Sequence, residues 1–367
     1  MILSSMKIGL VGLPLVGKTT LFNLLTGADI QVSQFSVGKV DSNMGIAKIP
    51  DDRIDFLTEM YKPKKITPAT IEVIDVPGLV SGSSAGKGVG NQFLDAIRKV
   101  DALVHIIRVF ENNDVPHAEG TIDPMRDIET INMELLFSDL SIIENRIDRI
   151  VNSKKITKEI AAELEVLKKC KQGLEEGLLI NNLELNEEEG ELLKTFGFLS
   201  EKPLLLVANI DENQLVSQDY PQKNALLTFV KERNIPLIEI CGKTELEINQ
   251  LEPEDKEMFM SELGIEEPGI DKLAKVAYDY LGLISFLTAG QDEVKAWTIR
   301  KSTVAKRAAG KIHSDIEKGF IRAEVVKFNN LKELGSMAKV KEKGLATLEG
   351  KEYIVEDGDI INFRFNV

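Results

Sequence analysis

The stretch Gly12-Leu13-Pro14-Leu15-Val16-Gly17-Lys18-Thr19-Thr20 constrains this chain more than any other. It follows a short apolar run, Lys7-Ile8-Gly9-Leu10-Val11, that reads as a buried strand, and it opens the helical pattern Leu21-Phe22-Asn23-Leu24-Leu25. A strand, a G-x-x-x-x-G-K-[ST] turn and a helix in that order form a phosphate-binding loop. Glycine lets the backbone curl until successive N–H groups face one anion, and the helix N-terminus adds partial positive charge. Leu13, Pro14, Leu15, Val16, Gly17, Lys18, Thr19 and Thr20 are therefore expected to wrap a polyphosphate. Lys18 reaches the β- and γ-phosphates, and the Thr19 hydroxyl serves Mg²⁺. The fold expected around such a loop is α/β, a P-loop domain with a mostly parallel sheet.

A second element agrees with the first. Thr70-Ile71-Glu72-Val73-Ile74 alternates like a strand and ends in Asp75-Val76-Pro77-Gly78. In a nucleotide switch, a D-x-x-G after a strand places an aspartate near the metal and a glycine amide at the γ-phosphate. Asp75 is thus a metal-side residue and Gly78 a catalytic one. The following Ser81-Gly82-Ser83-Ser84-Ala85-Gly86-Lys87-Gly88-Val89-Gly90 is rich in glycine and reads as a mobile switch segment. Leu79 stands where many GTPases carry a glutamine that orients the attacking water. Either turnover is slow or another group holds the water; Leu79 as plain core is the other reading.

Base recognition is legible further on. The apolar strand Pro203-Leu204-Leu205-Leu206-Val207-Ala208 ends at Asn209-Ile210-Asp211-Glu212, where a GTPase would carry N-K-x-D. Ile210 replaces the lysine, and the acid is Glu212, one methylene longer. Losing the paired acceptor for guanine N1–H and N2 should cost guanine selectivity, on the scale of about 1–3 kcal/mol per bidentate base contact. Adenine is favoured, with GTP the weaker reading. A further strand, Pro236-Leu237-Ile238-Glu239-Ile240, leads to Cys241-Gly242-Lys243, the place of the second base-contacting loop.

Composition bounds the rest. A chain of 367 residues, 43 % apolar and 28 % charged, has ample core for two or three domains. No apolar run approaches the roughly 18 residues that span a bilayer, and the start lacks the pattern of a secretory signal, so neither membrane insertion nor secretion is expected. The two cysteines, Cys170 and Cys241, suit a reducing cytoplasm rather than a disulfide scaffold. A net charge of −14 argues against a broad nucleic-acid-coating surface. His105, His117 and His313 are too dispersed for zinc, and His105 falls within an apolar strand.

From Met133, apolar Leu136, Leu140, Ile143, Ile147 and Ile150 recur at three- and four-residue steps, and Ile160, Leu164, Leu167, Leu174 and Leu178 repeat the spacing after a polar break. Two such helices form an antiparallel coiled-coil hairpin inserted within the nucleotide domain. Beyond it, Lys295, Arg300, Lys301, Lys306, Arg307 and Lys311 occur without an acid among them. The strand-like runs at 320–326 and 360–365 flank a lysine-rich stretch read as a loop. A small β-rich module with a basic face is suited to RNA phosphates, and a solvated face is the other reading.

Taken together, Gly12 to Thr20, the glycine-rich stretch after Asp75-Val76-Pro77-Gly78, Asn209 with Glu212, Ala296-Trp297-Thr298-Ile299-Arg300 and Gly319-Phe320-Ile321-Arg322-Ala323-Glu324 resemble the YchF/Obg-like ATPase family over nearly the full length. The resemblance implies ATP as substrate in preference to GTP, Mg²⁺-dependent hydrolysis, cytoplasmic location, and association with the ribosome, on the large subunit, or with another translation component. It implies three modules: a nucleotide-binding domain at 1–128 and 200–282, an arm at 129–199, and a C-terminal TGS domain of β-grasp type at 283–367. It also implies a catalytic histidine in a mobile loop, matching His117, and a hydrophobic residue in place of the glutamine, matching Leu79. Two positions depart from the family. Leu15 replaces an asparagine linked to potassium coordination, so potassium is not carried over. Alignment on Asn43-Met44-Gly45 puts Lys39, with Ser36 and Ser42 nearby, where a switch threonine closes on Mg²⁺. Two rivals remain: a GTPase of the same fold, and a nucleotide-sensing adaptor whose hydrolysis is incidental.

Overall fold

The structure, a computed structural model, describes residues 6–29, 43–76, 89–112, 114–153 and 155–366. The expected switch positions Ser36, Lys39, Ser42, Gly78 and Leu79 lie outside the described residues. The strands are β1 (Lys7–Val11), β2 (Asn43–Lys48), β3 (Lys65–Thr67), β4 (Thr70–Asp75), β5 (Ala102–Arg108), β6 (Leu204–Asn209), β7 (Leu237–Ile240), β8 (Leu283–Ala289), β9 (Glu293–Arg300), β10 (Phe320–Lys327), β11 (Ala346–Glu349) and β12 (Asp359–Phe365). They form two sheets of six, ordered β2-β4-β1-β5-β6-β7 and β11-β10-β12-β8-β9-β3.

In the first sheet, β4, β1, β5, β6 and β7 pair in parallel. Every residue of β5 and β6 is buried, as expected of central strands covered on both faces. Leu103, Ile107, Leu204, Leu206 and Ala208 pack with Phe93, Ile97, Ile128 and Ile131 into one apolar cluster. Because the strands run the same way, Val11, Asp75, Arg108 and Asn209 all leave the sheet at its carboxyl edge, where open α/β sheets bind ligands. The phosphate loop follows Val11, and the helix Lys18–Thr26 follows the loop.

The hairpin expected near Met133 consists of helices Pro124–Val151 and Lys158–Glu175. Asp123 caps the first through Arg126 N–H, with Pro124 in the first turn; Thr157 caps the second through Ile160 N–H. Leu136, Ile143 and Ile150 face Val166, Leu167, Cys170 and Leu174 in a separate core. Burial pushes the Cys170 thiol up to about 11, the behaviour of an inert packing residue. Asp139 ties the hairpin to the chain that leaves it, accepting from Leu199 N–H at 2.9 Å, Ser200 N–H at 2.7 Å and Ser200 Oγ at 2.7 Å.

The second sheet combines the antiparallel pairs β8/β9, β10/β12 and β10/β11 with the parallel pair β8/β12. The helix Ala305–Ile312 lays Ala305, Ala308 and Ala309 on Phe286, Ile299, Val325 and Phe363. The lysine-rich stretch between β10 and β12 is not a loop. It forms helices Phe328–Leu334 and Met337–Glu342, separated by left-handed Gly335 and capped by Ser336, followed by β11. By backbone packing the chain divides into two units: Ile46–Ile71 groups with Ala274–Val367, and Glu72–Leu273 with the residues from Lys7. The segment 46–71 thus joins the C-terminal unit, contributing β3 in parallel to β9. Among the described residues, no helix is long and apolar enough to cross a membrane.

Candidate functional site

The phosphate loop has the backbone its glycines predict. Gly12 has φ +152° and Gly17 φ +99°. A Cβ on Gly12 would sit 2.5 Å from Ile106 O, and one on Gly17 would sit 2.4 Å from Asn209 Nδ2. Only glycine fits either place. Leu15 also has positive φ, +65°, without that freedom, so the loop holds a left-handed leucine at a cost of roughly 1–2 kcal/mol. Leu13 and Val16 are buried, and Pro14 and Thr20 are half-buried.

Lys18 folds back over the loop, its ammonium donating to Gly12 O at 3.1 Å and Leu13 O at 2.8 Å. The side chain is 8 % exposed. Burial lowers its pKa to about 8, against an opposing pull from Asp75. Thr19 Oγ1 donates to Asp75 Oδ2 at 3.0 Å, so the two oxygen donors expected at the metal already touch. A hydroxyl and a carboxylate are hard donors of the kind Mg²⁺ selects.

The base-side residues are coupled to the loop through Asn209. Its Nδ2 donates to Val16 O at 2.9 Å, and its Oδ1 accepts from Gly242 N–H at 3.3 Å. One amide side chain therefore joins the phosphate loop, the end of β6 and the turn after β7. Ile210 and Cys241 are buried in the apolar cluster, where Thr244 Oγ1 donates to Cys241 Sγ at 3.1 Å. At these two positions the side chain is committed to the core, leaving the backbone to face a ligand. Glu212 opens the helix Glu212–Ser217, while Asp211 caps it. The Glu212 carboxylate pairs with Lys243 Nζ at 2.8 Å. That pairing joins two motifs 31 positions apart, a link their spacing alone does not show.

His117 is not joined to Lys18 or Thr19 by any hydrogen bond among the described residues. Its side chain is 4 % exposed; Nε2 lies 3.0 Å from Asp127 Oδ2, and Nδ1 accepts from Glu119 N–H at 3.1 Å. Asp127 also accepts from Arg126 Nε and Nη2, and Arg126 in turn donates to Thr121 O and Oγ1. The preceding loop is organised by Arg108, whose buried guanidinium donates to the carbonyls of Phe110, Asn112, Val115 and Pro116 and stacks on the Phe110 ring. Arg108 and Asp127 are functional candidates the sequence reading missed. The available signal was a charged residue closing the apolar run 102–107. His105, inside that run, is fully buried, and burial, helped by the nearby Lys18 charge, pushes it down to about 3. It is a neutral strand residue.

A family profile described as "50S ribosome-binding GTPase" matches residues 7–146, and one for the YchF-GTPase C-terminal region, described as "Protein of unknown function (DUF933)", matches residues 283–366. The Ribosome-binding ATPase YchF of Bacillus subtilis (strain 168) is 45 % identical over 364 residues, covering 98 % of this chain and 99 % of the relative. The chain belongs to the YchF family. Similarity extends to Obg-like ATPase 1 of Oryza sativa subsp. japonica, 41 % identical over 99 % of this chain and 93 % of the relative. The solved Schizosaccharomyces pombe YchF GTPase superposes with a TM-score of 0.85 at 31 % identity, covering 98 % of each chain. The YchF architecture, a P-loop α/β domain followed by a sheet-bearing C-terminal domain, agrees with the P-loop domain expected from the phosphate loop and with the C-terminal module expected from the family resemblance.

Proposed function

We propose that this YchF-family chain is an ATP-binding, ATP-hydrolysing P-loop switch protein that associates with ribosomes. The observation that carries the reading is the pre-formed phosphate site: Gly12 and Gly17 in backbone states only glycine tolerates, Lys18 folded over the loop, and Thr19 against Asp75. The Lys18 ammonium rests on two carbonyls; a triphosphate would offer it full negative charge instead. Thr19 and Asp75 would hold Mg²⁺, which when bound neutralises charge on the β- and γ-phosphates. The loop amides would orient the tail, Gly78 N–H would donate to a γ-phosphate oxygen, and His117 would position the attacking water. Potassium stimulation is not carried over from the family, since the Leu15 side chain supplies no oxygen to a cation.

Adenine preference rests on Glu212. Its carboxylate is one methylene longer than an aspartate and is drawn toward Lys243, away from the guanine N1–H and N2 edge, and Asn209, Ile210, Cys241 and Gly242 would shape the base pocket with the Asn209 amide bracing it. The S. pombe relative is named a GTPase, so the GTPase reading is the one to test against. The partner reading follows the names of the B. subtilis and other relatives, with the 129–199 arm reaching the ribosome's large subunit and the C-terminal basic residues touching RNA. The functional modules are the nucleotide domain at 1–128 and 200–282, apart from the segments 46–71 and 274–282 that group with the C-terminal unit, and the TGS-like domain at 283–367. Equilibrium titration of ATP and GTP, with co-sedimentation on ribosomes in each nucleotide state, tests this reading. Tighter ATP binding and nucleotide-dependent sedimentation are expected; tighter GTP binding would favour the rival.

A further inference from the structure

A histidine that positions a reacting water normally has one ring nitrogen held by a protein partner and the other free to face the substrate. His117 has neither free. Nδ1 accepts the Glu119 amide N–H, which leaves Nε2 as the ring's N–H donor, and Nε2 lies 3.0 Å from Asp127 Oδ2. The side chains are 4 % and 1 % exposed, so water does not reach the pair freely.

The two contacts differ in kind. The Nδ1 contact is local: His117 O also accepts from Gly120 N–H, and Gly120 has φ +77°, so residues 117–120 form a tight turn that carries the ring with it. The Nε2 contact is made to another element, the first turn of the helix Pro124–Val151. Asp127 does not depend on His117 to stay in place, because Arg126 holds its other oxygen through Nε at 3.1 Å and Nη2 at 2.8 Å and is itself braced by Thr121. The turn can therefore swing away and leave a pre-formed socket behind.

We propose that Asp127 is a positioning residue that latches His117 in a resting state, and that hydrolysis requires His117 to leave it with the turn intact. This rests on the reading of His117 as the water-positioning group. Because Glu119 keeps Nδ1 as the acceptor, the released ring presents an N–H. His117 then acts by donating a hydrogen bond, to the attacking water's oxygen or to a γ-phosphate oxygen that gains charge, and not as a general base.

The test is ribosome-free ATP hydrolysis by the full chain and its variants. Asp127→Ala removes one net hydrogen bond's worth of bias toward the latched state and is expected to raise turnover by about fivefold. Asp127→Asn keeps an acceptor for Nε2–H and is expected to give a smaller gain. A fall or no change in turnover in Asp127→Ala, with hydrolysis lost in His117→Ala, would overturn the latch alone. Full hydrolysis in His117→Ala would overturn the assignment of His117 and the latch with it. A readout that needs no variant guards against misfolding. ¹⁵N spectra of the histidine ring in the unaltered protein should show an unprotonated Nδ1 and a slowly exchanging Nε2–H, the latter shifting when ADP, aluminium fluoride and Mg²⁺ are added. Ring signals identical in both states would overturn the proposal.

Discussion

The buried Lys18 makes the site's affinity depend on pH in a calculable way. Its pKa is about 8 because the ammonium is desolvated with only carbonyls and Asp75 to compensate. A bound triphosphate supplies negative charge and returns the lysine to full protonation. With a pKa of 8, roughly nine-tenths of the lysine is charged at pH 7 and roughly one-tenth at pH 9, so ATP affinity should weaken about tenfold between them. Binding at pH 8 should take up about half a proton, readable by calorimetry in two buffers of different ionisation enthalpy. The effect on the fold has the opposite sign. Between pH 8 and the ordinary value of 10.5 the unfolded chain binds the proton that the folded lysine has lost, so this group's contribution to nucleotide-free stability rises with pH, by at most about 3 kcal/mol. Residual binding by Lys18→Arg, always charged, should show no such pH dependence. Equal ATP affinity at pH 7 and 9 with no linked proton uptake would refute the reasoning.

Other perturbations separate the parts of the account. Asn209→Ala orphans Val16 O and Gly242 N–H together and should cost about 2–4 kcal/mol in urea unfolding while weakening ATP binding; a loss in stability without a loss in affinity would separate Asn209 from the site. Leu15→Gly or Leu15→Asn relieves the left-handed leucine and should raise the thermal midpoint, by the equivalent of about 1 kcal/mol, whereas the parent should hydrolyse ATP equally fast in potassium and in sodium. Asp139→Ala strips the acceptor from two buried amides and the Ser200 hydroxyl, and should destabilise by about 3–5 kcal/mol; a cost below 1 kcal/mol would mean the hairpin base does not need it.

The parts of the molecule that the sequence made legible are those with a strong local code. The phosphate loop is a run of nine residues whose glycines are dictated by φ and by close approach, and β5 and β6 are wholly buried strands, apolar except for His105, Arg108 and Asn209. The hairpin declared itself through the repeat of Leu136, Ile143 and Ile150, all facing the second helix. The rest depended on contacts that no local pattern encodes. Lys65–Thr67 is a three-residue strand with two exposed positions, so its place beside β9 comes from backbone pairing and the Lys65–Glu293 and Thr67–Glu293 contacts. The stretch after β10 reads as loop because lysines mask short helices held by buried Leu331 and Val340, the Phe328 ring set edge-on to Phe56, and the Lys341–Glu324 ion pair. His117 was picked out by resemblance, but its tie to Asp127 spans a turn of irregular backbone and leaves no periodic trace. The same is true of Lys243 and Glu212, whose pairing needed the ends of β6 and β7 to be adjacent.

The central claim is that the loop from Gly12 to Thr20 grips a nucleoside triphosphate and that the base end prefers adenine. Paired equilibrium titrations of ATP and GTP with Mg²⁺, on the parent and on Lys18→Ala, test it most directly. The account predicts saturable ATP binding, tighter than GTP, that Lys18→Ala removes. Absence of saturable binding, or GTP binding the tighter, would contradict it.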